Sequence, residues 1–370
     1  MSSGGFSAER LRTMHRSMSG YVERGEVPGL VGLVSRRGEV HVEAIGSQST
    51  GGHAIKRNSI FRISSMTKPL TAVATMILVE EGLLRLDEPV DRLLPELADR
   101  QVLKAVDGPI DQTVPAVRPI TVRDLLTFTM GMGYLFSEGP RPIDVALEER
   151  GLAPGPPRPH TLPAPDEYMR RLGSLPLTLQ PGAAWLYNTG SEVLGVLVAR
   201  ASGKQFDTFL KERIFEPLGM DDTGFFVPSS GIGRLTTTYA RNPQTSGIDV
   251  FDAAEKSDWA KAPAFPAGAG GLVSTVDDYM AFAEMLLGNG SRGGRRILSR
   301  PSVELMTTDQ LSAEQKSRSG FGPDSFSGHG WGFGLSVVTE RVGLASIGSY
   351  GWDGGLGSTW ENDPREEMIT

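Results

Sequence analysis

The sequence predicts an α+β protein in which an antiparallel sheet, assembled from both ends of the chain, carries a large inserted helical region. Three observations lead to this fold class. Short β-like runs lie near the N-terminus and again beyond residue 330. Compact segments with apolar residues at helical spacing fill most of residues 64–310. At 370 residues, with 39% apolar and 22% charged residues, the chain is long enough to bury a substantial core.

The N-terminal residues predict a helix followed by a β-hairpin. Residues 7–24 place apolar side chains at helical spacing and stop before Gly25. After Pro28 the apolar pattern shortens into two β-like runs on either side of "RRG" at 36–38, which is typical of a hairpin. We therefore expect the chain to open with a helix and two strands.

The middle of the chain is predicted to be mostly helical. The amphipathic segments there are "TKPLTAVATMILVEEG", "TVRDLLTF", "SEVLGVLVARASG", "FDTFLKERIFEPLG" and "TVDDYMAFAEMLLGNG". A proline-rich irregular stretch at residues 138–168 lies among them, and a loop of that length is usually a lid or an insertion.

Strand patterns return at the C-terminal end, in "WGFGLSVVT", "LASIGSYGW" and "TWENDPREEMIT". The sheet would therefore combine strands from both ends of the chain. We predict a single domain with two lobes, an α/β lobe from about residues 1–63 and 270–370 and a helical lobe from about residues 64–269.

Composition and charge argue against several classes of function. The net charge is -7 and Lys and Arg are not clustered, so neither a nucleic-acid partner nor a polybasic membrane surface is expected. Cysteine is absent and the five histidines form no paired-histidine motif, so we expect no metal and no cofactor. The N-terminus lacks the apolar segment of a signal peptide, and no apolar run is long enough to span a membrane, which favours a cytoplasmic protein.

The segment "SSMTK" at 64–68 is the first candidate for chemistry. The apolar stripe after it predicts a helix that begins near Met66. Residues three apart share a helix face, so Ser65 can contact Lys68, whereas Ser64 pairs with Thr67 and is expected to cap the helix. A serine hydroxyl becomes a nucleophile when a neighbour takes its proton, and a lysine desolvated by burial can do so. An S-x-x-K match alone is expected by chance about once in a chain of this length, so further groups are needed.

Two later segments supply candidates for those groups. Tyr187, in "PGAAWLYNTGSEVLG", stands before an apolar helix and can carry a proton, although a lone tyrosine there is more often a half-buried aromatic residue. The glycines of "SYGWDGGLGST" would let a substrate approach an edge strand, or would form a bulge or tight turn. His329, in "SGHGWGFG", competes for this third position, but a strand pattern follows it directly. No GxSxG motif offers another nucleophile.

In this order the segments resemble the serine β-lactamase and penicillin-binding protein superfamily, and more narrowly the β-lactamase-like carboxylesterases of family VIII. The resemblance extends over most of residues 8–365. Its blocks are "FRISSMTKPLTAVATMILVEEGLLRLDEPVDRLLPEL", "RPITVRDLLTFTMGM", "PGAAWLYNTGSEVLG", "GAGGLVSTVDDYMAFAEMLLGNG" and "YGWDGGLGSTWENDP". It implies a β-lactamase/transpeptidase-like fold.

The resemblance also implies roles for individual residues. Ser65 would be the nucleophile that accepts the acyl group, Lys68 its base and Tyr187 a shared proton carrier. The N–H groups of Ser65 and Gly355 would form the oxyanion hole. The substrate-binding candidates from the third motif are Trp352, Asp353 and Gly354.

Several positions depart from the β-lactamase pattern. Thr189 stands at the Asn position of YxN, and Trp352 replaces the lysine of KTG that a β-lactamase uses to hold the carboxylate of its substrate, so efficient β-lactam hydrolysis is not expected. Phe128 and Met130 replace the polar residues usual in "LLTHTSG". An apolar acyl pocket is therefore predicted from Phe128 together with Tyr134, Leu135 and Phe136.

The leading hypothesis is a serine hydrolase that acts on small or medium carboxylic esters, with a small-molecule ester as its partner. The alternatives on the same site are an acyltransferase, an amidase or D-aminopeptidase, and a weak β-lactamase. An alternative from another class is a noncatalytic binding module on this scaffold, although intact Ser65, Lys68 and Tyr187 argue against it. Members of the resembled family continue after "DP" with more strand and a closing helix, whereas this sequence stops at Thr370. We therefore expect either a truncated chain or a different C-terminal tail.

Overall fold

The predicted helices form, and the structure gives their bounds. A computed structural model of the chain describes residues 4–136, 139–242, 244–245 and 247–370. Within these residues the α-helices are α1 (Ala8–Glu23), α2 (Thr67–Glu80), α3 (Val122–Leu126), α4 (Pro142–Glu149), α5 (Pro165–Gly173), α6 (Thr189–Ser202), α7 (Phe206–Leu210), α8 (Glu216–Leu218), α9 (Val276–Leu287), α10 (Arg300–Met306) and α11 (Ala313–Ser317). A π-helical turn, Lys211–Phe215, joins α7 to α8.

The main sheet combines strands from both chain ends. Its strands are β1 (Gly29–Arg36), β2 (Glu39–Gly46), β11 (His329–Trp331), β12 (Ser336–Val338), β13 (Tyr350–Gly354), β14 (Ser358–Asp363) and β15 (Met368–Ile369). They follow the order β11-β12-β13-β14-β15-β1-β2, and every neighbouring pair is antiparallel. The predicted α+β class is confirmed, although "WGFGLSVVT" contains parts of two strands joined by a turn at 332–335 instead of one strand.

Short two-stranded ribbons complete the described part of the chain. Their strands are β3 (Phe61–Arg62) with β8 (Val273–Ser274), β4 (Gln101–Leu103) with β5 (Thr113–Pro115), β6 (Thr238–Arg241) with β7 (Ile248–Asp252), and β9 (Ser291–Arg292) with β10 (Arg295–Arg296). The pair β3 and β8 matters for the site because β3 leads directly into the "SSMTK" segment.

The N-terminal hairpin has the turn that its sequence predicts. Strands β1 and β2 are joined by Arg37 and Gly38, whose φ angles are +50° and +80°. A two-residue turn with both φ angles positive matches the right-handed twist of the flanking strands. The first helix also follows its prediction, since Ser7 caps α1 and Gly25 follows its end at φ +71°.

Helix α2 is more deeply buried than its apolar stripe suggests. Every residue from Thr67 to Leu78 is buried, including the polar residues Lys68, Thr71 and Thr75. The buried surface therefore extends beyond the predicted apolar stripe, because α6 and α7 both pack against the helix. The Thr75 hydroxyl donates to the Thr71 carbonyl within the helix, whereas the single hydroxyl proton of Thr71 is donated outside the helix, to the Gly268 carbonyl at 2.7 Å.

The proline-rich stretch is shorter than predicted. Helix α4 occupies residues 142–149, so the irregular part runs from about residue 150 to the start of α5 at Pro165. Glu138, at the predicted start of the stretch, lies outside the described residues. Proline at the first position of both helices fits there because that position has no intrahelical N–H bond to lose.

Candidate active site

A strained backbone turn presents Ser65 at the start of α2. Ser64 is buried at φ +47° and opens a 3₁₀ turn, Ser64–Met66, between strand β3 and the helix. A positive φ in a non-glycine residue is a sign of strain that tertiary structure must maintain. The Ser64 side chain makes no cap hydrogen bond, so its predicted role as a helix cap is wrong. Its backbone redirects the chain instead, and Ser65 lines the cleft beside it.

Lys68 is fully buried, and its Nζ lies among three uncharged oxygens. The distances are 3.0 Å to Ser65 Oγ, 2.9 Å to Asn188 Oδ1 and 2.6 Å to the carbonyl oxygen of Ala269. An ammonium group has three N–H donors, so these contacts use all of them. None of the three hydrogen-bond partners is a carboxylate. Loss of a proton from Lys68 would therefore not leave a contacting anion without its cation.

Asn188 reaches Lys68 because the backbone bends sharply there. Its φ and ψ are +87° and -63°, and the N–H of Thr189 donates to the carbonyl of Tyr187 at 3.3 Å. This is a γ-turn with positive φ, which is rare and strained. The turn starts helix α6 at Thr189 and directs the Asn188 amide oxygen to Lys68. The sequence analysis assigned the YxN position to Thr189 and missed Asn188, for which the tolerance of asparagine for positive φ was the available signal.

Tyr187 lies between the lysine and an indole. Lys68 Nζ is 4.4 Å from the centroid of the Tyr187 ring, within cation–π distance. The phenol oxygen accepts a hydrogen bond from Trp352 Nε1 at 2.8 Å. Both contacts bring an electropositive group against Tyr187, so the residue is more than a space-filling aromatic side chain.

The glycines of "WDGG" allow strand β13 to reach the Ser65 turn. A Cβ atom on Gly354 would lie 2.4 Å from the carbonyl oxygen of Ile63, so only glycine fits at this approach. Gly355 follows the strand and lines the same cleft as Ser65. The backbone of Gly355 and the start of α2 therefore border one space.

That space is a cleft of about 320 Å³ with mainly apolar walls. One wall comes from the stretch between α4 and α5, through Leu152, Ala153, Pro154, Gly155, Pro156, Pro157, Pro159 and Leu162. Arg158 and His160 hold this wall to the segment 251–258. The Arg158 guanidinium lies 3.9 Å from the ring centroid of Phe251, and His160 Nε2 is 2.8 Å from the carbonyl oxygen of Asp258.

The family can be assigned once this geometry is set beside known proteins. The model of the family described as "Beta-lactamase" matches residues 14–370. The chain belongs to the β-lactamase family.

Two relatives agree with the assignment, and a solved structure agrees with the fold. Protein Rv1367c of Mycobacterium tuberculosis is 38% identical over 94% of this chain and 85% of its own length. Esterase EstB of Burkholderia gladioli is 30% identical over 90% of this chain and 82% of its own length. The structure of EstCE1, described as a hydrolase with promiscuous acyltransferase activity, has a TM-score of 0.76 at 24% identity and covers 98% of this chain and 92% of the EstCE1 chain.

These similarities confirm the expected fold and a broad enzyme class. The β-lactamase/transpeptidase-like architecture is shared across nearly the whole chain. With the family match and an esterase relative, the protein is a serine hydrolase- or acyltransferase-type enzyme of the β-lactamase family.

Two aromatic residues predicted to line the acyl pocket of this β-lactamase family member do not do so. Phe128 is fully buried behind the cleft and packs edge-to-face on Tyr187, with ring centroids 5.7 Å apart. Phe136 is 67% exposed and is not part of the cleft wall. Tyr134 does line the cleft, where it packs against Phe321 at 5.3 Å. A replacement of polar by apolar residues showed that the segment is apolar, but not which side chains face the cavity.

The third motif also contacts substrate space less directly than predicted. Trp352 reaches Tyr187 instead of the cleft wall, and Asp353 is exposed and accepts a hydrogen bond from Thr359. Gly354 is buried against Ile63, and the cleft begins at Gly355 and Leu356. In this family member, the motif therefore supports the catalytic tyrosine candidate and the backbone of Gly355.

Glu192 is a buried carboxyl group that the sequence analysis did not single out. It lies in α6 and lines the cleft, and its Oε2 accepts a hydrogen bond from the N–H of Ala269 at 3.2 Å. Burial raises the pKa of the Glu192 carboxyl to about 7, while the charge of Lys68 and the N–H donors of Ala269 and Gly268 oppose that rise. A glutamate on an otherwise apolar helix, "SEVLGVLVA", was the sequence signal.

The described residues form neither a metal site nor a membrane-spanning helix. Among residues 4–136, 139–242, 244–245 and 247–370, no group of three or more His, Asp or Glu side chains is placed to hold a metal ion. Within the same ranges, no helix combines the length and the apolar character needed to cross a membrane.

Proposed function

We propose that this chain is a carboxylesterase that forms an acyl-enzyme on Ser65 and releases the acyl group to water. The observation that supports it most directly is the 3.0 Å contact between Ser65 Oγ and the buried Lys68 Nζ beside an apolar cleft. Identity of 30% to an esterase from Burkholderia gladioli agrees with small-molecule esters as substrates.

Acylation begins with transfer of the Ser65 proton to Lys68. In the neutral amine form, Lys68 has two N–H bonds and one lone pair. If the N–H bonds donate to Asn188 Oδ1 and the Ala269 carbonyl, the lone pair is directed at Ser65 Oγ. The oxygen then attacks the ester carbonyl carbon, and the N–H groups of Ser65 and Gly355 stabilise the oxyanion by about 3 kcal/mol per donor.

Collapse of the tetrahedral intermediate breaks the bond to the alcohol, which needs a proton to leave. Tyr187 supplies it from its hydroxyl group and regains one from the Lys68 ammonium, whose Nζ lies against the ring. The phenolate formed in between keeps the hydrogen bond from Trp352 Nε1. A water molecule then attacks the acyl carbon with the same proton transfers in reverse, and the acid and free Ser65 result.

The replacement of a cation by Trp352 affects which substrates this mechanism serves. An indole N–H that is committed to Tyr187 cannot neutralise a substrate carboxylate. Neutral esters with apolar acyl groups should therefore be turned over, whereas nitrocefin, a carboxylate-bearing β-lactam, should be hydrolysed slowly. Rapid nitrocefin hydrolysis would contradict this role for Trp352.

Acyl transfer to an alcohol is the second candidate function. The cleft rim carries two aromatic rings, Tyr134 and Phe321, which could hold an apolar acceptor in place of water. Product analysis with p-nitrophenyl butyrate and a competing alcohol distinguishes the two outcomes, since transfer yields a new ester and hydrolysis yields butyrate.

The central test uses Ser65→Ala with p-nitrophenyl butyrate as substrate. The variant should lose turnover while its circular dichroism spectrum is unchanged, and Ser317→Ala, at an exposed serine, should retain full activity. A fluorophosphonate probe should add one covalent group to the wild type, which peptide mass spectrometry should place on Ser65. Activity retained by Ser65→Ala, or an adduct on another residue, would refute the proposal.

A further inference from the structure

Glu192 occupies a position that the proposed mechanism does not yet explain. It is only 8% exposed, although it lines the cleft, and it lies in the first turn of α6, close after the strained turn at Asn188. A carboxyl group is costly to bury without partners. Its surroundings therefore indicate what it contributes.

The partners of Glu192 belong to the backbone segment that holds Lys68. Glu192 accepts a hydrogen bond from the N–H of Ala269 at 3.2 Å, and the neighbouring N–H of Gly268 also favours the charged carboxylate. The carbonyl oxygen of the same Ala269 accepts the 2.6 Å hydrogen bond from Lys68 Nζ. One carboxyl group thus fixes the segment whose carbonyl contacts the lysine.

The same backbone segment, residues 268–269, contacts both α2 and α6. The Gly268 carbonyl accepts a hydrogen bond from Thr71 Oγ1 of α2 at 2.7 Å. On the other side, a Cβ atom on Gly268 would lie 2.3 Å from the carbonyl oxygen of Ser191 in α6. The segment therefore has little freedom, and Glu192 accepts the hydrogen bond from its Ala269 N–H.

We propose that Glu192 is a positioning residue that aims the lone pair of Lys68 at Ser65 through the Ala269 carbonyl, and that its charge sets the pH range in which Lys68 can act as a base. This inference rests on the proposed function of Lys68. It has two separable parts, the hydrogen bonds to the backbone and the negative charge.

The charge acts on a small set of neighbours. Among the described residues, the ionisable groups that interact electrostatically with Glu192 are Lys68 on α2 and Tyr168 on α5. Burial and the nearby glutamate both raise the pKa of Tyr168 well above its usual value, so this tyrosine stays neutral. Lys68 is therefore the partner that matters, and a Glu192 carboxylate favours its ammonium form over the neutral amine that takes the Ser65 proton.

The test measures the rate at which a fluorophosphonate probe modifies Ser65 as a function of pH, because this rate follows the reactivity of Ser65. Glu192→Gln keeps a carbonyl acceptor and removes the charge, so the rise of the rate with pH should move down by about one pH unit. Glu192→Leu removes the acceptors as well, so its maximal rate should fall at least about tenfold through the loss of a backbone hydrogen bond. Glu255→Gln, which removes an exposed carboxylate, should leave the profile unchanged.

The outcomes separate this inference from the proposed function. An unlabelled wild type would refute the function of Ser65 itself. A labelled wild type with a Glu192→Gln profile that superimposes on it would overturn the inference and leave the function standing. A uniform loss in both variants without a pH shift would also overturn it, because a purely structural role would lower all rates together.

A second measurement covers the case in which Glu192→Gln does not fold. Infrared spectroscopy can follow the protonated carboxyl band in the wild type and in Lys68→Met across neutral pH. Because the Lys68 charge stabilises the carboxylate, Glu192 should hold its proton to higher pH in Lys68→Met. Identical titrations would contradict the coupling.

Discussion

Arg62 and Lys68 are two buried cations six residues apart, and they differ in what they contact. Arg62 is 2% exposed and its guanidinium bonds directly to the Asp252 carboxylate, with Ser257 Oγ a further acceptor at 2.9 Å. Lys68 is 0% exposed, but its three hydrogen-bond partners are uncharged oxygens. Its carboxylate neighbour, Glu192, acts through the intervening Ala269 backbone.

This difference supports a structural role for Arg62 and the chemical role that we propose for Lys68. A guanidinium paired with a carboxylate keeps its proton under all ordinary conditions and fixes the segments that it joins. A buried ammonium among uncharged acceptors can lose a proton without stranding a contacting anion, which is what a base requires. Burial alone therefore does not identify a catalytic group, whereas the charge of its partners does.

The largest expected effect comes from removing the chemical cation. Lys68→Met preserves the length of the side chain and should lower turnover of p-nitrophenyl butyrate by about 10⁴-fold, since Lys68 Nζ is the base that the described residues place within hydrogen-bond distance of Ser65 Oγ. Lys68→Arg should not restore activity, because a guanidinium does not give up its proton. Lys261→Met, at an exposed lysine, is the matched control. Full activity of Lys68→Arg would contradict the distinction between Lys68 as a base and Arg62 as a structural cation.

Removing the structural cation should affect stability instead of chemistry. Arg62→Met leaves the Asp252 carboxylate buried without its cation and should lower the free energy of unfolding by about 3–5 kcal/mol. Urea denaturation measures this loss. The double variant Arg62→Met with Asp252→Asn should recover part of it, because no unpaired charge remains. If the double variant were no more stable than Arg62→Met, the carboxylate would not be the source of the loss.

The pH dependence of stability tests the burial of Glu192, the carboxyl group that acts on Lys68 through the Ala269 backbone. The folded protein holds the Glu192 proton with a pKa of about 7, raised from 4.5, so the protonated carboxyl favours the folded state below pH 4.5 and this contribution disappears as the pH rises through 7. Relative to Glu192→Gln, the wild type should lose about 3 kcal/mol over that range. Urea denaturation of both proteins at several pH values checks this. Parallel curves would mean that Glu192 is not desolvated.

The smallest expected effect comes from replacing Asn188, the hydrogen-bond partner of Lys68 with a strained backbone. Asn188→Gly and Asn188→Ala both remove the amide acceptor, but only alanine keeps a Cβ atom at φ +87°. The glycine variant should therefore be more stable than the alanine variant by about 1 kcal/mol, while both should turn over substrate about tenfold more slowly. Thermal unfolding and steady-state kinetics provide the two measurements. Equal stabilities would indicate that the turn carries no strain.

Much of the fold could be predicted because local patterns matched the final structure. The hairpin around Arg37 and Gly38, and the cap and stop of α1, depend on few neighbouring residues. Helix α4 inside the proline-rich stretch was missed, because several prolines in succession conceal one short amphipathic turn pattern. The burial of every α2 residue from Thr67 to Leu78 was missed for a different reason, since periodicity reports one apolar face and does not reveal what covers the other.

The site was predicted in part. Helical spacing brought Ser65 and Lys68 together, and the resemblance added Tyr187 and Gly355, which do border the same cleft. Asn188 was not predicted, because its contact with Lys68 depends on an unusual backbone conformation. Phe128 and Phe136 were placed wrongly in the pocket, since an apolar residue beside a site can equally pack behind it or remain in solvent.

The sequence by itself determined the fold class, the order of the segments and the pairing of Ser65 with Lys68, because each of these follows from short-range spacing. Only the tertiary structure decided which groups surround the lysine. The Ala269 carbonyl lies 201 residues from Lys68 in the chain, and Glu192 reaches that segment from a third element. Such contacts arise from the packing of α2 and α6 around one backbone segment. The local pattern of residues in the sequence does not reveal that packing.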